Sequence, residues 1–325
     1  MFCIENEDLC KQIYQAAMDS GFDDCGIISL EDMDGYTVNT MKRVETVPGS
    51  IGFYGGAIQR VSGLKNKYPW AKSIVVCVSW VGKYRFPEKL EGLYAKGFYI
   101  SNDSYADAPG HTKKLGLGEW FERQGIQWTG TVKPGGGIFG LRHAAQMAGL
   151  GIIRRNNFLY NENGSWLEID SFLIDKECRL YQKKEIKPCP IGCTRCMDAC
   201  PTKALCAPYT LNPSHCVSAI NTFGKGVIPE DLWEEQLQKW IVGCEACQNA
   251  CPFNSKHDWS QGKEYPGLEE LVDVMQPENI LSASKEQLEN ICLRSANHLS
   301  PRNAEVLKIN AERVIRNRKK KKCCP

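Results

Sequence analysis

The sequence predicts an α/β (α+β) domain at its N terminus, a cysteine-rich module behind it and a short helical segment at its end. Three observations predict this order. Leu9, Ile13, Ala16 and Ala17 fall at helical spacing and lead into the apolar residues 25–29, so the chain opens helix then strand. Residues 73–80 form an apolar run of the kind found in strands covered on both faces. Between residues 189 and 251 stand nine cysteines: two runs of four and three, the lone Cys216 between them, and Cys206 outside the pattern. The expected boundaries are 1–180 for the first domain, 181–258 for the cysteine module and 259–325 for the helical segment with its basic tail.

Composition bounds the function. The 325 residues are 42% hydrophobic, ample for a sizeable core. A net charge of +2 gives no global field toward nucleic acid or a membrane. No apolar run approaches the roughly 18 residues of a membrane span. Residues 1–8 carry neither the basic nor the apolar part of a secretory leader. The expectation is a cytoplasmic protein with reduced thiols, and an odd cysteine count of 17 agrees with it. Cys25 and Cys77 lie in apolar stretches and read as small core hydrophobes.

Along the chain, Gly21 closes the first helix as a C′ glycine does. Residues 31–70 hold Gly49, Gly52, Gly55, Gly56 and Gly63 and read as loop-rich. Residues 81–110 crowd Tyr84, Phe86, Tyr94, Tyr99 and Tyr105 among glycines, an excursion from the core that serves as a lid or pocket wall, or as a satellite apolar cluster. Residues 112–124 read as a helix closed by Gly125, and 126–132 as a strand. In Lys133-Pro134-Gly135-Gly136-Gly137, three glycines let the backbone approach something closely or take positive φ. No phosphate-loop or dinucleotide pattern accompanies them. Residues 141–147 make a short helix. Residues 152–160 and 165–175 read as the arms of a hairpin turning at Asn161-Glu162-Asn163-Gly164. Beyond the cysteines, 263–298 reads as helical, 306–315 as a basic amphipathic segment and 316–325 as a disordered tail.

The cysteine spacing carries chemistry. Cys193, Cys196, Cys200-Pro201 and Cys244, Cys247, Cys251-Pro252 both end as bacterial [4Fe-4S] ferredoxin loops end. In that pattern three thiolates of one loop take three iron corners, and the cysteine before proline ligates the neighbouring cluster. One cluster then takes Cys189, Cys193, Cys196 and Cys251, and the other takes Cys200, Cys216, Cys244 and Cys247. Cys189 stands one residue early, in C-x3-C where C-x2-C is usual. Zinc also uses C-x2-C pairs, but two interlocking Cys-Pro endings favour iron and sulfide.

Ala148-Gly149-Leu150-Gly151, Arg155-Asn156, Gly164-Ser165-Trp166 and the two Cys-Pro runs with a lone cysteine between them resemble epoxyqueuosine reductase, a cobalamin-dependent family related to the reductive dehalogenases. The resemblance covers roughly residues 5–255, most strongly 145–254. It implies a nitroreductase-like N-terminal domain holding cobalamin, fused to a two-cluster ferredoxin-like module. The expected cofactor-binding residues are Gly135, Gly136, Gly137, Arg142, Gly149, Gly151, Arg155 and Asn156, the two arginines facing an anionic group of the corrin or of the substrate. The family carries an acidic proton donor about thirteen residues before its A-G-L-G element, where Gly135 stands here. The C-terminal helical repeats that help longer members bind tRNA are short here. These departures point to a small-molecule or nucleoside-like substrate other than the family's tRNA, and leave Tyr105, Tyr99 and His143 as proton donors.

Two clusters in one module form a one-electron wire, and the domain before them is too long for a plain ferredoxin. Because hard redox chemistry belongs to cofactors, the expected protein is a reductase. It takes electrons from an external donor of ferredoxin or flavodoxin type and passes them through the clusters and a corrinoid to the substrate. Two rivals stay open: an electron-transfer protein with no substrate of its own, and a reductase using flavin in the same pocket.

Overall fold

A computed structural model describes residues 2–99, 108–133, 136–255, 257–294, 302 and 304–323. The chain forms two compact units. The first is Met1–Trp80 with His111–Cys193, and the second is Val81–Gly110 with Thr194–Pro325.

The first unit is built on a six-stranded sheet. Its strands are β1 (Phe2–Glu5), β2 (Asp24–Ser29), β3 (Ser73–Trp80) and β4 (Trp128–Gly130), joined after a separate hairpin of β5 (Ile152–Ile153) and β6 (Leu159–Tyr160) by β7 (Leu167–Ile174) and β8 (Arg179–Tyr181). The order is β1-β8-β2-β3-β7-β4, and every pair is antiparallel. In β3, Ser73 through Ser79 are all buried, as its apolar run predicts. Alternation divides the strand between two cores. Val75 and Cys77 face the helices Glu7–Asp19 and Pro109–Arg123 through Ile13, Ala17, Leu117 and Phe121. Ile74, Val76 and Val78 face the helix Leu141–Met147 through Ala144 and Ala145. Cys25 and Cys77 are both fully buried in the first of these cores. The class is mixed α/β, with an antiparallel sheet covered on both faces.

Several local readings match. Asn6 caps the first helix, accepting from the Leu9 N–H at 3.4 Å. Gly21 follows it with φ +96° and its N–H returns to the Met18 carbonyl at 2.9 Å, the left-handed turn that ends a helix.

Other stretches differ. Residues 31–70 are mostly helical, with Asp34–Thr46, Ile51–Ser62 and Leu64–Lys67. Gly52 and Gly56 lie inside the second of these with nothing near a would-be Cβ. Each costs about 1 kcal/mol of helix propensity, which burial of Tyr54 and Val61 offsets. Of residues 126–132 only β4 is strand. The expected hairpin is redistributed: β5 pairs with β6, while β7 pairs with β3 and β4. The Asn161–Gly164 turn does form, closed by a bridge between those two residues. β7 leaves it because its apolar half, Ser171–Ile174 in chain order, is buried against β3 and not against the short β6.

In the second unit, the helices Arg195–Asp198 and Ala246–Asn249 carry the two cysteine runs and pack on each other, beside the two-stranded ribbon of β9 (Leu205–Ala207) and β10 (Thr210–Leu211). The excursion Val81–Gly110 belongs here and not to the first unit. The Ala95 N–H donates to the Val242 carbonyl at 3.0 Å, the Ile241 N–H to the Leu93 carbonyl at 2.7 Å, and the Tyr94 hydroxyl to the Met275 carbonyl at 2.7 Å. Of the expected helical stretch 263–298, the described residues 263–294 break into short pieces, including the helices Pro277–Ser282 and Lys285–Arg294.

The basic C-terminal run is helical through Val306–Cys323. Leu307, Ala311 and Val314 are fully buried. Arg316 pairs with Glu234 at 2.8 Å, Arg318 with Glu278 at 3.0 Å and Lys320 with Glu235 at 2.5 Å. The tail orders because acidic residues 40 to 85 positions upstream meet its charges, which local charge density does not reveal. Among the described residues no helix is long and apolar enough to cross a membrane.

Candidate iron–sulfur site

The two cysteine runs repeat one local design. Each has a one-turn helix, Arg195–Asp198 or Ala246–Asn249, with the middle cysteine, Cys196 or Cys247, on it. The chain then turns, Cys200 N–H to the Met197 carbonyl at 3.2 Å and Cys251 N–H to the Gln248 carbonyl at 3.1 Å. Proline follows in both, and at Cys251 the backbone is already extended at φ −83°, ψ 122°. Proline has no N–H to extend the helix, so both loops stop where the fourth cysteine must face away.

The extra residue after Cys189 is absorbed in a turn. The Cys193 N–H donates to the Pro190 carbonyl at 3.2 Å, and Gly192 between them takes φ +74° with open space around it. Glycine holds that left-handed conformation without a Cβ penalty.

Cys200, Cys216 and Cys247 pack with Cys196, Ala204 and Leu205 in one apolar cluster. All four cysteines of the expected second set are free. Burial pushes the thiols of Cys216, Cys244 and Cys247 above the ordinary thiol range, and neighbouring cysteines add to it. Cys200 acts on Cys216; Cys216 and Cys200 act on Cys244; Cys244, Cys216, Cys200 and Cys196 act on Cys247. Backbone amides of Ala219, Ser218 and Ala246 oppose the shift at Cys216 and Cys244. Free thiols gathered in this way fit a metal cluster, which takes them as thiolates and releases their protons. Among the described residues no three His, Cys, Asp or Glu side chains converge as ligands of a single ion; in a [4Fe-4S] cube each thiolate takes its own iron.

The first unit grips residues 187–193 with two arginines. Arg154, 2% exposed, donates from Nη1 toward Cys189 Sγ at 3.9 Å and from Nη2 to the Lys187 carbonyl. Arg155 Nη1 donates to the Cys193 carbonyl at 2.9 Å. Arg155 was expected at a corrin or substrate; its bond here is to the cluster loop, and Arg154 was not anticipated.

The other expected cofactor residues are placed as follows. Gly135 lies outside the described residues. A Cβ on Gly136 would stand 2.1 Å from the Gly130 carbonyl oxygen, and one on Gly137 2.8 Å from Thr131 Cγ2, so both come close to their own chain. The same holds for Gly149 against the Gln182 carbonyl at 1.9 Å and Gly151 against that of Tyr160 at 2.6 Å. Asn156 Nδ2 donates to the Tyr160 hydroxyl at 2.8 Å. Arg142 Nη1 donates to the Asn157 carbonyl. Asn157 itself, 5% exposed with φ +65°, has neither side-chain Nδ2 nor Oδ1 hydrogen-bonded among the described residues.

Of the expected proton donors, Tyr105 lies outside the described residues, as does the side chain of Tyr99, whose backbone ends the turn Lys96–Tyr99. His143 is 7% exposed and its Nε2–H donates to the Asp32 carbonyl at 2.9 Å.

Comparison with known proteins agrees with this geometry. Residues 189–254 match the family model of a 4Fe-4S double cluster binding domain. The epoxyqueuosine reductase of Leadbetterella byssophila is 31% identical over 258 residues, 76% of this chain and 80% of that protein. That of Lactococcus garvieae is 28% identical over 281 residues, 84% and 76% of the two chains. Among solved structures, an epoxyqueuosine reductase with a tRNA-Tyr epoxyqueuosine-modified stem loop superposes with a TM-score of 0.74 at 22% identity, covering 96% of this chain and 82% of that one. The Streptococcus thermophilus enzyme gives 0.72 at 22%, covering 94% and 80%.

Proposed function

The chain belongs to the epoxyqueuosine reductase family, an iron–sulfur oxidoreductase family, and we propose that it reduces the epoxide of a modified tRNA nucleoside. The observation that carries this reading is the gathering of Cys200, Cys216 and Cys247 with Cys196 in one apolar cluster within a double-cluster sequence. Family membership weighs against the rival in which the chain only carries electrons to another enzyme. It also outweighs the expectation of a substrate other than tRNA, which rested on Gly135 and on the short C-terminal segment.

The ligand sets are Cys189, Cys193, Cys196 and Cys251 for one cluster, and Cys200, Cys216, Cys244 and Cys247 for the other. An external low-potential donor of ferredoxin or flavodoxin type supplies the electrons. The first unit is a nitroreductase-like cofactor domain that takes cobalamin in preference to flavin. Asn157 supports this assignment: its buried amide offers a donor and an acceptor without partners among the described residues, which suits a cofactor rimmed with amides. Arg142, Asn157 and the backbone of Gly136, Gly137, Gly149 and Gly151 would hold it. When bound, cobalamin supplies the cobalt redox centre. The chain's part is to keep the site dry, to orient the nucleoside and to deliver a proton from Tyr105 or Tyr99, with His143 the third candidate.

The test uses anaerobically reconstituted protein with cobalamin, a low-potential reductant and an epoxyqueuosine-containing stem loop. Mass spectrometry should show loss of the epoxide oxygen. Cys216→Ala should keep about half of the iron, one cluster of two, and lose turnover. Iron-loaded wild-type protein that leaves the stem loop unchanged would overturn the reading.

A further inference from the structure

We propose that the buried pair of Lys96 and Glu245 sets the reduction potential of the cluster held by Cys244 and Cys247. Glu245 lies inside the ligand loop, between those two cysteines, and is 1% exposed. Its carboxylate adds to the charge felt by the Cys244 thiol. Each one-electron reduction adds a negative charge to the cluster, so a bare carboxylate at this place opposes reduction.

The chain supplies one specific answer. Lys96 Nζ lies 2.7 Å from Glu245 Oε1, and the Lys96 backbone N–H donates to Oε2 at 2.9 Å. Asn249 Nδ2 adds a 3.3 Å bond to Oε1. The ammonium is itself buried, over the rings of Phe86 and Trp259 at 5.4 Å each, with the half-exposed Glu91 3.8 Å away.

Lys96 comes from the excursion Val81–Gly110, 149 residues upstream of its partner. Hydrogen bonds between residues 93–95 and residues 241–242 fix its place just before Cys244. As structural glue such a pair is a poor choice, because a buried ion pair is often no more stabilising than apolar residues of the same volume. As a charge held at fixed distance from a redox centre it has a use. The aromatic excursion thus serves the cluster by presenting a cation to its ligand loop.

The inference rests on Cys244 and Cys247 being cluster ligands, and the experiment tests the two separately. Full-length, anaerobically reconstituted protein is titrated with dithionite through redox mediators, which supply the electron, and followed by electron paramagnetic resonance. The signal lost in Cys247→Ala identifies the cluster to follow. If that variant keeps both signals, the ligand reading fails and this proposal with it.

Glu245→Gln leaves Lys96 with only the half-exposed Glu91 at 3.8 Å and should move the potential up. Lys96→Met leaves the carboxylate uncompensated and should move it down. The double variant should return toward wild type, and Lys96→Arg should stay near it. A purely structural pair would shift both single variants the same way, or neither, and either result overturns the proposal while leaving the ligand assignment intact. Should Lys96→Met not take up iron, Glu245→Gln and Lys96→Arg decide: an unmoved potential in the first, or a displaced one in the second, overturns it.

Discussion

Arg154 shows what a single side chain does at this site. Its guanidinium reaches Cys189 Sγ and the Lys187 carbonyl from a position 2% exposed. These contacts fix the position of Cys189, the proposed ligand whose spacing is irregular. Arg154→Leu should therefore lower iron toward half of wild type, since one cluster loses its weakest corner. Cys206→Ser, at an exposed thiol, should leave iron unchanged; colorimetric iron assay on both decides. The double-cluster module was legible because Cys-Pro endings and C-x2-C spacing are local chemistry. Glu245 and Lys96 were not read from the sequence, because the partners stand 149 residues apart and no local pattern joins them. Arg154 was not singled out beside Arg155, because in an irregular turn no periodicity tells which of two adjacent side chains is buried; Asn156 and Asn157 are both buried, and only their contacts separate them.

At the scale of elements, long apolar or periodic stretches were legible, and short strands and glycine-bearing helices were not. β3 has an apolar residue at nearly every position, and burial on two faces follows from that alone. The helix Ile51–Ser62 defeats the same logic, because its glycines mimic a loop while Tyr54 and Val61 alone hold it down. The C-terminal helix is the sharper case. Arg313 is 2% exposed, donates to Asn310 Oδ1 at 3.0 Å and to the Trp240 carbonyl, and burial lowers its pKa to about 10. Asn310 in turn donates to the Asn221 and Ile241 carbonyls at 3.0 and 2.9 Å. Arg313→Ala strands two acceptors and should cost about 2 kcal/mol, measured by urea unfolding. Cys292, on the helix Lys285–Arg294, gives a pH signature. Burial raises its thiol to about 12, whereas an unfolded thiol titrates near 8.5. Its contribution is complete below about pH 8.5 and is lost as pH rises toward 12, because only the unfolded chain releases the proton. Between pH 8.5 and 10.5, Cys292→Ala should reduce the alkaline loss of stability by about 2–3 kcal/mol. An unchanged slope would mean that the thiol ionises in the folded state.

For the molecule as a whole, the path of the chain matters more than the count of domains. The chain leaves the first unit after Trp80, contributes Val81–Gly110 to the second, and returns at His111. The excursion is not a loop of the domain that contains it in sequence: Leu90 and Tyr94 are fully buried, and Leu93 and Ala95 are 3% exposed. Residues 1–193 made alone would carry those side chains without the residues around 241 and 275 that cover them. Burial of each large apolar side chain contributes roughly 1.5–3 kcal/mol, so this fragment should aggregate. The two ends of the excursion, by contrast, lie close together, because Lys113 Nζ on the returning helix donates to Ser79 Oγ at 2.6 Å. Replacing residues 81–110 by a short glycine–serine linker closes a small gap, and loop closure costs little. The excised fragment, residues 1–80 joined to 111–193, should then be soluble and show cooperative thermal unfolding by circular dichroism, where the unexcised fragment precipitates. If both fragments are equally soluble, the excursion does not depend on the second unit for its burial. If both aggregate, the six-stranded sheet with its two helical covers does not stand alone as a folding unit.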